Sequence, residues 1–246
     1  MLASVAVVPG PPALVSELMG SAAHELDGLR SAVESVVSQA VSSVSAQLVV
    51  VGPGPAGEFN ASGPVSFASF GRDVTVSALV EGGKTDRELP TPLMVARYLA
   101  SRDVAAHPEH ADLWASARWI TTSGSDATAL GEQLREDDAS IALILVADGA
   151  ACHGPKAPRA QDSRADAYDD EVCAALASGQ PGRLARINAA LGRELGATGT
   201  EVWPVLIAAP DGDMIGEVVW TGAPYGVGWA VASWRRHSAS NLVDSI

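Results

Sequence analysis

Basic residues are scarce. Sixteen Lys and Arg stand against 29 Asp and Glu, a formal charge of −13. A nucleic-acid backbone must be met by clustered Lys and Arg. The 16 basic residues are scattered along the chain, so nucleic acid is not an expected partner. An acidic surface instead suits solubility in a cytosol. Cysteine is nearly absent: Cys152 and Cys173 cannot build a disulfide framework, which points to a reducing, cytoplasmic location. No apolar run reaches the ~18 residues that a membrane span needs. The apolar N-terminus has no basic leader and is interrupted by Pro9 to Pro12, so it reads as a first strand and not as a signal peptide. Aromatics are only 5% of the chain, yet Trp203, Trp220, Trp229, Trp234 and Tyr225 crowd its last quarter. Cementing the final strands is the simpler role for them, and lining a pocket for a flat ligand is the other.

What remains is a chain rich in core-forming residues, 47% hydrophobic and 18% charged over 246 residues. That composition favours a well-cored globule. No internal repeat or linker divides it, so residues 1–246 read as a single domain. Ile141–Ala147 is an unbroken apolar run, the pattern of a strand buried on both faces. Ser4–Val8 and Leu48–Val51 are shorter strands of the same kind, and Asp73–Val80 alternates as a strand with one wetter face. Helical spacing runs from Ala13 to about Val44, and helices are also expected at Thr91–Ser101, Pro108–Ala117, Ala127–Glu136, Asp162–Ser178 and Gly182–Leu195. Glu58–Gly71 reads as a loop. Val202–Ala208 and Met214–Trp220 read as a hairpin around Asp211-Gly212, with Gly226–Trp234 closing the sheet and a frayed tail after it. The expected fold is α/β: three layers, α/β/α, with a largely parallel or mixed central sheet and a C-terminal antiparallel hairpin.

Candidate chemistry gathers after the central strand, where Asp148-Gly149 is followed closely by Cys152, His153 and Lys156. Ligands of open α/β sheets bind at the carboxyl ends of strands. Cys152-His153 suggests a nucleophile and base, but neighbours in sequence rarely face one another, and a small buried Cys at a pocket edge is the better reading. Gly52-Pro53-Gly54-Pro55-Ala56-Gly57 matches G-x-G-x-x-G literally. Two of its intervening residues are prolines without N–H groups and no helical pattern follows, so it reads as a rigid turn and not a dinucleotide site. His107 and His110 flank Pro108-Glu109 in a polar region and read as a solvated helix start; His24 and His237 have no evident partner.

Three stretches carry a family resemblance. Ala6-Val7-Val8-Pro9-Gly10-Pro11-Pro12-Ala13-Leu14-Val15 resembles an opening strand usually written Pro-His-Pro-Pro. Lys156-Ala157-Pro158 and the run Arg164–Asp169 resemble the loop and helix after an active-site Ser-His. Ala223-Pro224-Tyr225-Gly226-Val227-Gly228-Trp229 is similar to a closing strand. Together they resemble the class III extradiol ring-cleavage dioxygenases, in their catalytic B-subunit-like domain, and a shortened branch of it in high-G+C Gram-positive bacteria.

The resemblance implies a mononuclear Fe(II) held by two His and one carboxylate, with another His as acid–base. This sequence departs from it. Gly10 stands at the first ligand position, Gly52-Pro53-Gly54 at the second, Glu201 at the carboxylate and His153 near the acid–base position. Glycine offers no side-chain ligand. The expectation is therefore a protein that keeps the fold but has no metal and no cofactor. It would bind a small molecule or protein partner in a cleft rimmed by Gly10, Gly52, Asp148, Cys152, His153, Lys156 and Glu201, as a monomer or homo-oligomer. The alternative is an Fe(II) oxidoreductase with substitute ligands Asp148, His153 and Glu201, His153 being catalytic.

Overall fold

A computed structural model describes residues 1–43 and 46–236. Its elements in order are β1 (Leu2–Val8), α1 (Ser16–Met19), α2 (Asp27–Ser42), β2 (Gln47–Pro53), β3 (Gly57–Phe59), β4 (Val65–Ser66), β5 (Thr75–Val76), α3 (Thr91–Ala106), α4 (Ala111–Ala115), β6 (Arg118–Thr122), α5 (Gly124–Glu136) and β7 (Ile141–Val146). They continue with α6 (Ala165–Ser178), α7 (Pro181–Leu184), α8 (Ala189–Leu195), α9 (Gly199–Ala208), β8 (Ile215–Gly222) and β9 (Trp229–Arg235).

Seven strands form one sheet in the order β3-β6-β2-β7-β1-β9-β8. β6, β2, β7 and β1 run parallel, while β3 and the pair β9 and β8 are antiparallel additions at the two margins. β7 sits in the middle and is buried along its whole length, as its unbroken apolar run requires. Side chains alternate across the pleat, so β1 sends Ala6 and Val8 to one core and Val5 and Val7 to the other. The first core is covered by α2 and α3, with Trp114 of α4; the second by α5, α6 and α9. The result is the three-layer α/β/α arrangement, with a C-terminal antiparallel strand pair. No described helix is long and apolar enough to cross a membrane.

Four local expectations are corrected. Val202–Ala208 is not a strand: it lies in α9, which accommodates Pro204 and is apolar nearly all round because it is buried. A short apolar run cannot be assigned by periodicity alone. Packing decides here, since Gly131 of α5 lets α9 approach so closely that a Cβ at 131 would stand 2.7 Å from the Val205 carbonyl oxygen. The hairpin is therefore β8 with β9. β6 is a buried strand in a stretch with no strand signal, and β3 falls inside the expected loop. Only Thr75–Val76 of the expected strand 73–80 pairs, with Val65–Ser66. The frayed tail and His237 lie outside the described residues from 237 onward, as does position 44 at the end of the first helical pattern.

Between β3 and α3 the chain makes a long excursion over the sheet margin. Arg97 of α3, fully buried, pins it by donating from Nε to the Ala61 carbonyl at 2.9 Å and from Nη2 to the carbonyls of Gly63 and Ser77.

Candidate functional site

β7 ends at Val146, and the following segment stays tied to the strand pair on the far side of β1. Gly149 donates to the Gly228 carbonyl at 2.7 Å, Gly228 to that of Ala150 at 2.8 Å and His153 to that of Gly226 at 3.0 Å. This short ladder delivers His153 to the start of α6. There Nδ1 lies 2.8 Å from Oδ1 of Asp166 and Nε2 lies 2.6 Å from Oδ2 of Asp169. The two carboxylates are three residues apart and so share one helix face. Asp166 is exposed, whereas Asp169 is mostly covered and also accepts the Ala150 N–H at 3.0 Å. Burial pushes the Asp169 carboxyl up, against the lowering effects of the Ala150 N–H and His153.

This cluster opens on a cavity of about 300 Å³ between α6 and the β8–β9 strands, at the carboxyl end of β7. Val7, Ala147, Val172, Ala197 and Trp203 supply apolar wall; Asp148, His153, Asp166, Asp169 and Asp170 supply charge. Asp148 is the second perturbed carboxyl. Burial raises it from 3.8 to about 6, although its Oδ1 accepts the Gly10 N–H at 3.1 Å. Cys173 also lines the cavity, its thiol pushed up to about 11 by burial and then by Asp169 and Asp170.

The residues expected to rim one cleft are divided by the fold. Asp148 and His153 line the cavity, but Glu201 does not: it lies in the first turn of α9, on a separate depression with Gly54, Ser123 and Arg193. Lys156 is exposed on the turn beyond His153. Cys152 points into the core and its Sγ donates to the Leu195 carbonyl at 3.6 Å, so it faces away from His153. Burial, then Asp162 and Asp169, push that thiol up, the opposite of what a nucleophile needs.

Gly10 and Gly52 do not line the cavity; each is packed against other protein, Gly10 against Val146 and Gly52 against Pro92 at the start of α3. A Cβ on Gly52 would stand 2.9 Å from the Pro92 Cβ; one on Gly10 would stand 2.7 Å from Val146 Cγ1 and 3.9 Å from the Pro92 Cα. Even the first carbon of a side chain at either position would meet neighbouring protein atoms. Both ring nitrogens of His153 already face carboxylates, at 2.8 and 2.6 Å, and not Glu201. Among the described residues no group of three or more His, Cys, Asp or Glu is arranged to hold a metal ion. The residues present thus do not fit a mononuclear Fe(II) centre.

No protein-family model and no curated protein matches the chain. Among solved structures it is similar to the crystal structure of uncharacterized protein JW3007 from Escherichia coli K12, at 12% identity and a TM-score of 0.43, over 95% of this chain and 99% of that one. A likeness at that level carries no argument about function.

Sequence reasoning missed Asp166 and Asp169 as site residues, although it singled out the segment containing them. A His and two Asp 13 and 16 residues later have no local signature; only the fold of α6 against the 149–153 segment unites them. The expectation of a solvated His110 is also corrected. His110 is 5% exposed, because the turn Pro108–His110 folds back onto α3 and buries the ring against Asp103.

Proposed function

We propose that this chain is a metal-free member of the class III extradiol dioxygenase kind, non-catalytic at its strand-end cleft, a cytoplasmic protein that binds a small molecule in the α6 cavity. The observation that carries this reading is the close packing of Val146 against Gly10 and of Pro92 against Gly52, while a cavity of about 300 Å³ stays open between α6 and the β8–β9 strands. The volume and its mostly apolar wall suit a compact ligand with an apolar body. The carboxylates of Asp148, Asp166, Asp169 and Asp170 outnumber the one basic side chain there, His153, and so favour a ligand that carries an amine or several hydrogen-bond donors.

The test is twofold. Protein purified anaerobically is analysed for metal, and about one equivalent of iron would overturn the reading. A thermal-shift panel of aromatic amines and catechols is then run without added metal, on the wild type and on Cys173→Phe, whose phenyl ring fills the cavity. Stabilisation by at least one compound is expected, and its loss in Cys173→Phe. Stabilisation that survives in the variant would move the site elsewhere.

A further inference from the structure

On the opposite face of the sheet, three residues from three segments form a hydrogen-bonded line. Ser42, the last residue of α2, has its Oγ 3.0 Å from Nε2 of His110. Nδ1 of the same ring lies 2.8 Å from Oδ2 of Asp103, in the last turn of α3. Trp114 Nε1 donates to that same oxygen at 2.7 Å. His110 and Asp103 are buried, at 5% and 6% exposure, while Ser42 is exposed.

The network fixes the chemistry of the ring. A buried carboxylate demands donors, and Asp103 Oδ1 has no hydrogen-bond partner among the described residues. The Nδ1–H therefore goes to Asp103, which turns the Nε2 lone pair toward Ser42, so that the hydroxyl donates to it. This is the order of roles in nucleophilic catalysis by serine: hydroxyl, base, orienting carboxylate. A small depression of about 70 Å³ between α2 and α3 runs beside the line, lined by Ser38, Asp103 and His107 among others. Ser38 is one helical turn before Ser42 on the same helix face, while Ser42 itself stands at the exposed end of the line, outside the depression.

We propose that Ser42 is an activated nucleophile that takes short acyl groups from activated esters or thioesters. Oγ bonds to the acyl carbon as the bond to the leaving group breaks. The hydroxyl proton passes to His110 Nε2 and then to the leaving group or to solvent. Water later cleaves the acyl-serine with His110 again as base. The substrate class is limited by position. Ser42 ends a helix, where carbonyls and not N–H groups are free, so the described backbone supplies no oxyanion donors. Donors with good leaving groups are those that react without them.

The probes are p-nitrophenyl acetate and a fluorophosphonate, applied to the full chain, with adducts mapped by peptide mass spectrometry. One acetyl or phosphonyl group on Ser42 is expected, formed on the order of a hundredfold faster than on the other serines, the low end of what a positioned base contributes. The adduct should vanish in Ser42→Ala, an exposed change that leaves the fold intact. Asp103→Asn, with folding checked by circular dichroism, should slow labelling at least tenfold by reversing the ring's proton positions. Labelling spread evenly over the serines, or an unchanged rate in folded Asp103→Asn, would overturn the proposal. If Asp103→Asn does not fold, the mapped adduct and Ser42→Ala decide alone.

Discussion

Gly228 lies against Asp169 so closely that a Cβ at position 228 would stand 1.7 Å from Oδ2 and 3.1 Å from Nε2 of His153. The backbone there cannot retreat, because Gly228 both donates to Ala150 and accepts from Gly149. The His153–Asp169 contact thus depends on a residue without a side chain, 59 positions beyond the aspartate. Gly228→Ala should push Asp169 off the histidine. Overpacking of this kind costs roughly 1–3 kcal/mol, and any ligand of the α6 cavity should bind more weakly. Urea unfolding and ligand-induced thermal shifts measure the two effects; a Gly228→Ala protein unchanged in both would refute the geometry.

Asp148 predicts a pH dependence. Its folded carboxyl titrates at about 6 against 3.8 as the ordinary value, because burial disfavours the charged form. Between those values the folded protein holds the proton more tightly than the unfolded chain, so stability falls as pH rises from about 4 to about 6. Above that window the charged, buried carboxylate costs on the order of 3 kcal/mol. Asp148→Asn keeps an acceptor for the Gly10 N–H and should remove that cost. The variant is expected to be more stable at pH 7 and to lose the decline between pH 4 and 6, as followed by thermal melts across pH. Parallel curves for the two proteins would exclude Asp148 as the source.

Imidazoles placed at positions 10 and 52 should not create a metal centre. The double variant Gly10→His, Gly52→His must displace Val146 and Pro92, at a cost of roughly 2–4 kcal/mol in all. It should bind no stoichiometric Fe(II) in anaerobic titration. Tight binding of one equivalent with wild-type stability would mean that the site is open after all.

Arg97 gives a fourth prediction. Its guanidinium is wholly buried, desolvation lowers its pKa to about 10, and it serves three carbonyls of the excursion after β3. Arg97→Ala strands those carbonyls and should cost roughly 3–5 kcal/mol. Limited proteolysis should then cut between residues 60 and 89 much faster than in the wild type. Equal cleavage rates would show that the excursion is held by other contacts.

The fold class was readable because its signals are local. The unbroken run of β7 and the glycine and proline turns after β1 and β2 each bias their own segment, whatever its surroundings. The 202–208 stretch was misread for the same reason: Val202, Trp203, Val205 and Leu206 suit a buried strand or a buried helix alike, and contact with Gly131 decides between them. β6 was missed because five residues, Arg118–Thr122, carry too little pattern to register.

The residues of this chain determined by themselves that a three-layer α/β scaffold would form, and that positions 10 and 52 could contribute no side-chain ligand. Side-chain periodicity and the absence of a side chain are both properties of one position at a time. Only the tertiary structure decided that Val146 and Pro92 would pack against those glycines, that His153 would be held by Asp166 and Asp169, and that Ser42, His110 and Asp103 would meet. Such meetings depend on the directions of elements far apart in the chain, which packing fixes and no local pattern encodes.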